Sequence, residues 1–93
     1  MAERAVHVII TGHVQGVGFS WWTIQKASEL GRIGWVRNRI DNSVEAVFSG
    51  SGSAVDIMLE HCWSGPPVAK VNGVRVSDTE ILDVSGFTHR PTA

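Results

Sequence analysis

The chain has 93 residues, of which 43% are hydrophobic and 18% charged, a balance that supports one buried core and excludes a disordered chain. Eight basic against nine acidic side chains give a formal net charge of -1, which excludes the broad positive surface of a general nucleic-acid binder but leaves room for a local anion pocket. Cys62 is the single cysteine, so no internal disulfide can form, and the apolar runs are too short for a secretory signal or a membrane span. The expectation is one monomeric, cytoplasmic domain over residues 1–93.

Residues 6 to 10, VHVII, are rich in β-branched side chains and lead to Gly12, which predicts a strand followed by a loop. From Ser20 to Leu30 there is no Gly or Pro, Thr23, Ala27 and Leu30 recur at helical spacing, and Gly31 supplies a stop, so a helix is predicted there. Two strand-like runs follow, Ile33 to Ile40 and Ser43 to Phe48, with Asp41 and Asn42 as a two-residue hairpin turn tolerant of left-handed backbone. Ser51 or Ser53 can cap a second helix in which Val55, Met58, Leu59 and Cys62 form one apolar stripe, ended by Gly65, Pro66 and Pro67. Val68 to Val76 resumes β patterning, with Gly73 at a bulge or turn, and a short last strand is placed near Phe87. The order β-α-β-β-α-β predicts a ferredoxin-like α+β sandwich, an antiparallel sheet with both helices on one face. Residues from Arg90 onward read as loosely held.

Thr11 to Trp22, TGHVQGVGFSWW, carries the chemistry. Gly12, Gly16 and Gly18 lie between the first strand and the first helix, where unpaired N–H groups and the positive end of the helix dipole suit an anion. The pattern is neither a P-loop, since no Gly-Lys-Ser/Thr follows, nor a dinucleotide fingerprint, since the third glycine is missing. From composition alone the loop is either a phosphate site or a tight structural turn.

GHVQGVGF at 12–19, GWVRN at 34–38, SVEAVFSG at 43–50 and GPPVAKV at 65–71 resemble the acylphosphatase family, whose pattern runs G-x-V-Q-G-V-x-F-R and then G-W-V-x-N. The resemblance implies a small ferredoxin-like hydrolase that cleaves carboxyl-phosphate anhydrides without metal or cofactor. It further implies that the backbone N–H groups of Gln15, Gly16, Val17, Gly18 and Phe19 bind the phosphoryl group of an acyl phosphate, or inorganic phosphate or sulfate. Asn38 matches the family's water-orienting asparagine, and a side-chain amide suits that task because it accepts one hydrogen bond and donates another. Gln15 and Thr11 read as loop-stabilising, and Trp35 as a core residue or a pocket wall.

Ser20 stands where the family pattern has arginine. An arginine there would present a charged fork of donors to the phosphate, whereas serine offers one neutral hydroxyl. The expectation is impaired catalysis, with a catalytically silent anion-binding module as the alternative. Ser20 also suits a helix N-cap. His13, placed in the loop, is the candidate replacement cation, because strand alternation turns Arg37 and Arg39 away from Asn38. A nucleophilic Ser20 has no base beside it in any motif. His7, His13, His61 and His89 show no metal-ligand spacing, and no RNP-like aromatic pattern supports RNA binding. Asn42 occupies the hairpin position where the family generally has glycine, and asparagine tolerates positive φ.

Overall fold

The structure is a computed structural model that describes residues 3–31, 33–80 and 86–93. Strand β1, Glu3–His13, reaches well beyond its apolar run because ladders form on both sides of it. It pairs antiparallel with β3, Val44–Ser51, from Glu3 to Ile10, and with β4, Lys70–Asp78, from Val6 to His13. Strand β2, Ile33–Asn38, pairs antiparallel with β3 on its other side. The expected short last strand is β5, Phe87–His89, and it runs parallel to β2, so the five-stranded sheet is mixed, in the order β4-β1-β3-β2-β5.

Alternation along the strands sends Val6, Val8 and Ile10 of β1, Val36 of β2 and Val44, Ala46 and Phe48 of β3 to one buried face. Helix α1, Phe19–Glu29, brings Phe19 and Ala27 to the same cluster, and helix α2, Gly52–Ser64, brings Val55, Met58 and Cys62. Both helices therefore cover one side of the sheet, as a ferredoxin-like sandwich requires. Each large apolar side chain buried there contributes about 1.5–3 kcal/mol. Thr23, also fully buried, satisfies its hydroxyl by donating to the Phe19 carbonyl at 2.8 Å. Burial pushes the Cys62 thiol up to about 12, which leaves it inert.

Local details separate the alternatives. Ser51 is the N-cap of α2, its hydroxyl accepting from the Ala54 N–H at 3.4 Å. Against β1, Thr11 faces Gly73 and Gly12 faces Val71, so Asn72 is an extra residue beside Gly73 and the bulge is real. The β2–β3 connection corrects the two-residue turn: Arg39 N–H bonds to the Ser43 carbonyl at 2.9 Å, enclosing Ile40, Asp41 and Asn42. Only Asn42 in this turn is left-handed, at φ 74°, the arrangement of a three-residue hairpin loop. Asp41 accepts from the Ser43 N–H at 3.0 Å, which makes the larger loop favourable.

Residues 90 to 93 are also not loose. The Arg90 N–H donates to the Val36 carbonyl at 2.9 Å, the Ala93 N–H to the Asn38 carbonyl at 3.2 Å, and the Ile40 N–H to the Ala93 carbonyl at 2.8 Å. The outer edge of β2 presents backbone groups that need partners, and these residues supply them.

Gly34 shows how closely β2 approaches β3. At φ 142°, a Cβ on it would lie 1.8 Å from the Val47 carbonyl oxygen. Gly34→Ala is expected to destabilise the fold by about 2–5 kcal/mol, the combined cost of backbone strain and overpacking. A urea midpoint unchanged from that of the native protein would contradict this.

The opposite, helix-free face holds Trp35, only 8% exposed, with the Arg37 guanidinium 4.9 Å and the Arg90 guanidinium 4.5 Å from its ring centre. Trp35 is thus buried, but away from the helix-side core and from any pocket wall on that side. Beside it, Glu45 lies 2.6 Å from both His7 Nε2 and Arg37 Nε. Burial of Glu45 works against its charge, yet the hydrogen bonds from His7 and Arg37, with their charges, prevail and hold its carboxyl below the ordinary 4.5. A depressed carboxyl contributes stability above its unfolded value, and that contribution is lost as pH falls through the folded value. The melting temperature of the native protein is therefore expected to fall more steeply below about pH 4.5 than that of Glu45→Gln, a difference that calorimetry at several pH values would measure.

Candidate active site

The loop from β1 to α1 is held open by its glycines. Gly16 and Gly18 adopt φ 74° and 77°, and a Cβ at either would meet nothing within 4 Å, so the backbone conformation and not space selects glycine. Gly18 is the N-cap of α1 and contributes no side-chain cap. Ser20 is therefore the second residue of the helix and not its cap, a correction that follows from Gly18 taking the left-handed position. The first backbone bond of the helix runs from the Trp22 N–H to the Gly18 carbonyl at 3.0 Å. Among the described residues, the N–H groups of Phe19, Ser20 and Trp21 find no backbone acceptor. They form the positive end of α1.

Gln15 braces this loop. Its Nε2 donates to the Arg39 and Ser43 carbonyls, each at 2.8 Å, tying the loop to the hairpin that follows β2. Its side chain is structural, as expected of it, and Val17 packs its own against the core. Thr11 stays on β1, its hydroxyl 3.5 Å from the Gly73 carbonyl.

A cavity of about 340 Å³ opens at the start of α1. Gly16, Gly18 and Ser20 line it together with the apolar residues Val14, Phe19, Trp21 and Ile24. Asn38 lines it as well, because it shares the helix-facing side of β2 with Val36. Gly16, Gly18, Phe19, Ser20 and Asn38 thus come together from separate elements, while the side chains of Gln15 and Val17 turn elsewhere. The Ser20 hydroxyl oxygen is buried and has no hydrogen-bond partner among the described residues. Trp21 is 66% exposed at the rim, and Trp22 packs edge-on against Phe19 with ring centres 5.3 Å apart.

The candidate substitute cation, His13, is not in the lining. His13 ends β1 opposite Lys70 and does not reach the cavity wall, because β1 continues through it and the loop begins later. Arg37 faces away and bonds Glu45, as alternation predicted. Instead the wall includes His89 of β5. Sequence reasoning missed it, although a signal existed: one residue separates it from Phe87, which stacks on Phe48 at 5.5 Å, so the two share the helix-facing side. Among the described residues no group of three or more His, Cys, Asp or Glu side chains is arranged to hold a metal ion, and no helix is long and apolar enough to cross a membrane.

A split β-α-β sandwich whose first helix starts from a glycine loop, with that loop and an asparagine of β2 lining one cavity, defines a ferredoxin-like α+β protein. The acylphosphatase family model matches residues 6–89. The acylphosphatase of Rhodospirillum rubrum is 47% identical over 89 residues, covering 96% of this chain and 98% of that one. The acylphosphatase of Rhizorhabdus wittichii is also 47% identical over 89 residues, covering 96% and 88%. The solved acylphosphatase from Coxiella burnetii superposes with a TM-score of 0.91 at 39% identity, covering 95% of this chain and 93% of that chain. The chain belongs to the acylphosphatase family.

Proposed function

We propose that this protein hydrolyses acyl phosphates to a carboxylate and inorganic phosphate, slowly. The reading rests on one observation above all: Asn38 and Ser20 line a single cavity at the start of α1, where the first N–H groups of the helix have no backbone acceptor among the described residues. The phosphoryl oxygens accept from the backbone N–H groups of the loop from Gln15 to Phe19 and of the helix start, which hold the phosphorus in place. The Asn38 amide oxygen orients a water by accepting a hydrogen bond from it and so fixes its lone pair toward phosphorus. Attack forms the new P–O bond, the bond from phosphorus to the carboxyl oxygen breaks, and the carboxylate departs with the electron pair. The protons of the water remain with the phosphate formed. Charge builds on the phosphoryl and carboxyl oxygens during this step, and position 20 supplies no positive charge to meet it, which is why turnover is slow.

The test is steady-state hydrolysis of benzoyl phosphate in the presence of EDTA, together with titration of inorganic phosphate followed by amide NMR signals. Turnover with perturbed signals at Gly16 to Ser20 supports the hydrolase. Perturbed signals with no turnover favour the second reading, an anion-binding module without catalysis, for which the uncharged Ser20 is the motivating observation. An absence of both would sink the two together.

A further inference from the structure

The His89 side chain makes no hydrogen bond or ion pair with any described residue, yet the residue lines the cavity that holds Ser20 and Asn38. The geometry behind this is a matter of strand register. In the parallel pairing of β5 with β2, His89 sits opposite Val36, and Asn38 lies two residues further along β2 on the same side as Val36. Phe87, two residues before His89, turns into the helix-side core against Phe48. Arg90, the next residue, turns the other way, over Trp35 at 4.5 Å. His89 is thereby directed to the helix side, toward the start of α1. Of the other basic groups, Arg37 bonds Glu45, Arg90 covers Trp35, and neither His13 nor Arg39 belongs to the lining. Among the described residues, His89 is the one titratable side chain in the lining of this cavity.

We propose that His89 is a substrate-binding residue that donates an imidazole N–H to the phosphoryl oxygens and thereby takes, in part, the place of the positive group that Ser20 does not supply. The proposal rests on the acyl phosphate reading above. An imidazole is a donor in either protonation state and carries a positive charge when doubly protonated, so it suits an anionic oxygen. It reaches the cavity from the sheet edge, opposite the helix, whereas a side chain at position 20 reaches it from the helix. Two donors aimed at one group from two elements are partly redundant, and this predicts strong coupling between positions 89 and 20.

The experiment is a cycle of His89→Ala, His89→Lys, Ser20→Arg and the double variant Ser20→Arg with His89→Ala. Each is assayed for benzoyl phosphate hydrolysis and for inorganic phosphate affinity, and matched by circular dichroism and melting temperature. In the native background His89→Ala is expected to weaken phosphate binding and kcat/KM by about 10- to 100-fold, the loss typical of a hydrogen bond to a charged group. His89→Lys is expected to retain most of both. In the Ser20→Arg background His89→Ala is expected to change either quantity less than about 3-fold, because the guanidinium then supplies the charge. Equal losses in both backgrounds would mark His89 as structural, and no loss in the native background would remove it from the site; either overturns the proposal. If the native protein neither binds phosphate nor turns over, the parent reading fails. If it does either while His89→Ala is unchanged, the hydrolase or module reading stands and only the role of His89 falls.

Discussion

Ser20→Arg is expected to raise kcat/KM for benzoyl phosphate by about 1,000- to 100,000-fold, the range by which an arginine stabilises phosphoryl transfer. Ser20 is the second residue of α1 and forms part of the cavity surface beside the unpaired N–H groups of the helix start. A longer side chain there extends toward the same volume that Asn38 faces. The guanidinium brings full positive charge and a planar fork of donors to oxygens whose charge redistributes as the carboxylate leaves. The rate range corresponds to about 4–7 kcal/mol of barrier. The substitution also removes a buried hydroxyl that has no partner, and arginine favours a helix interior at least as well as serine. The variant should therefore melt no lower than the native protein. A variant of unchanged melting temperature and unchanged rate would mean that position 20 does not face the phosphoryl group at all.

Asn38→Ala is expected to lower kcat by about 100- to 1,000-fold, the usual loss when one preorganised polar group is removed from an active site. The fall should appear in kcat with KM little changed, since orienting water assists the transition state and not the binding of the phosphate. Structure should survive the change. The Asn38 backbone is held in register with Val44 and by the Ala93 N–H, and neither contact uses the side chain. Measuring the effect in the Ser20→Arg background keeps it readable, because native turnover is expected to be slow. A loss confined to KM would instead assign Asn38 to binding, and the mechanism given above for water would be wrong.

How much of this was legible in the chain itself depended on how local each feature is. The helix over residues 52–64 followed from a stripe of Val55, Met58 and Cys62 at helical spacing and from Ser51 ahead of it, signals that lie within one element. The side of β2 that Asn38 faces followed from period-two alternation. The glycine loop and the family motifs carried the resemblance, and the match over residues 6–89 agrees with it. Features that depend on pairing partners were not legible. The two-residue turn expected at Asp41 and Asn42 proved to enclose three residues because Arg39 pairs with Ser43. Residues from Arg90 looked loose because the sequence does not announce that an edge strand lies beside them. Ser20 looked like a cap because the left-handed turn at Gly18 depends on the shape of the whole loop.

The sequence by itself therefore determined the element order, the α+β class and the family, and it nominated Ser20 and Asn38, because periodicity, glycine placement and motif spacing act over a few residues. Only the tertiary structure decided which side chains share a cavity with them. His13, near in sequence, lies outside that cavity, and His89, distant in sequence, lines it because β5 joins the free edge of β2. The reason is physical: local patterns set which face of its own element a residue occupies, while the neighbour it meets there is set by strand order and register.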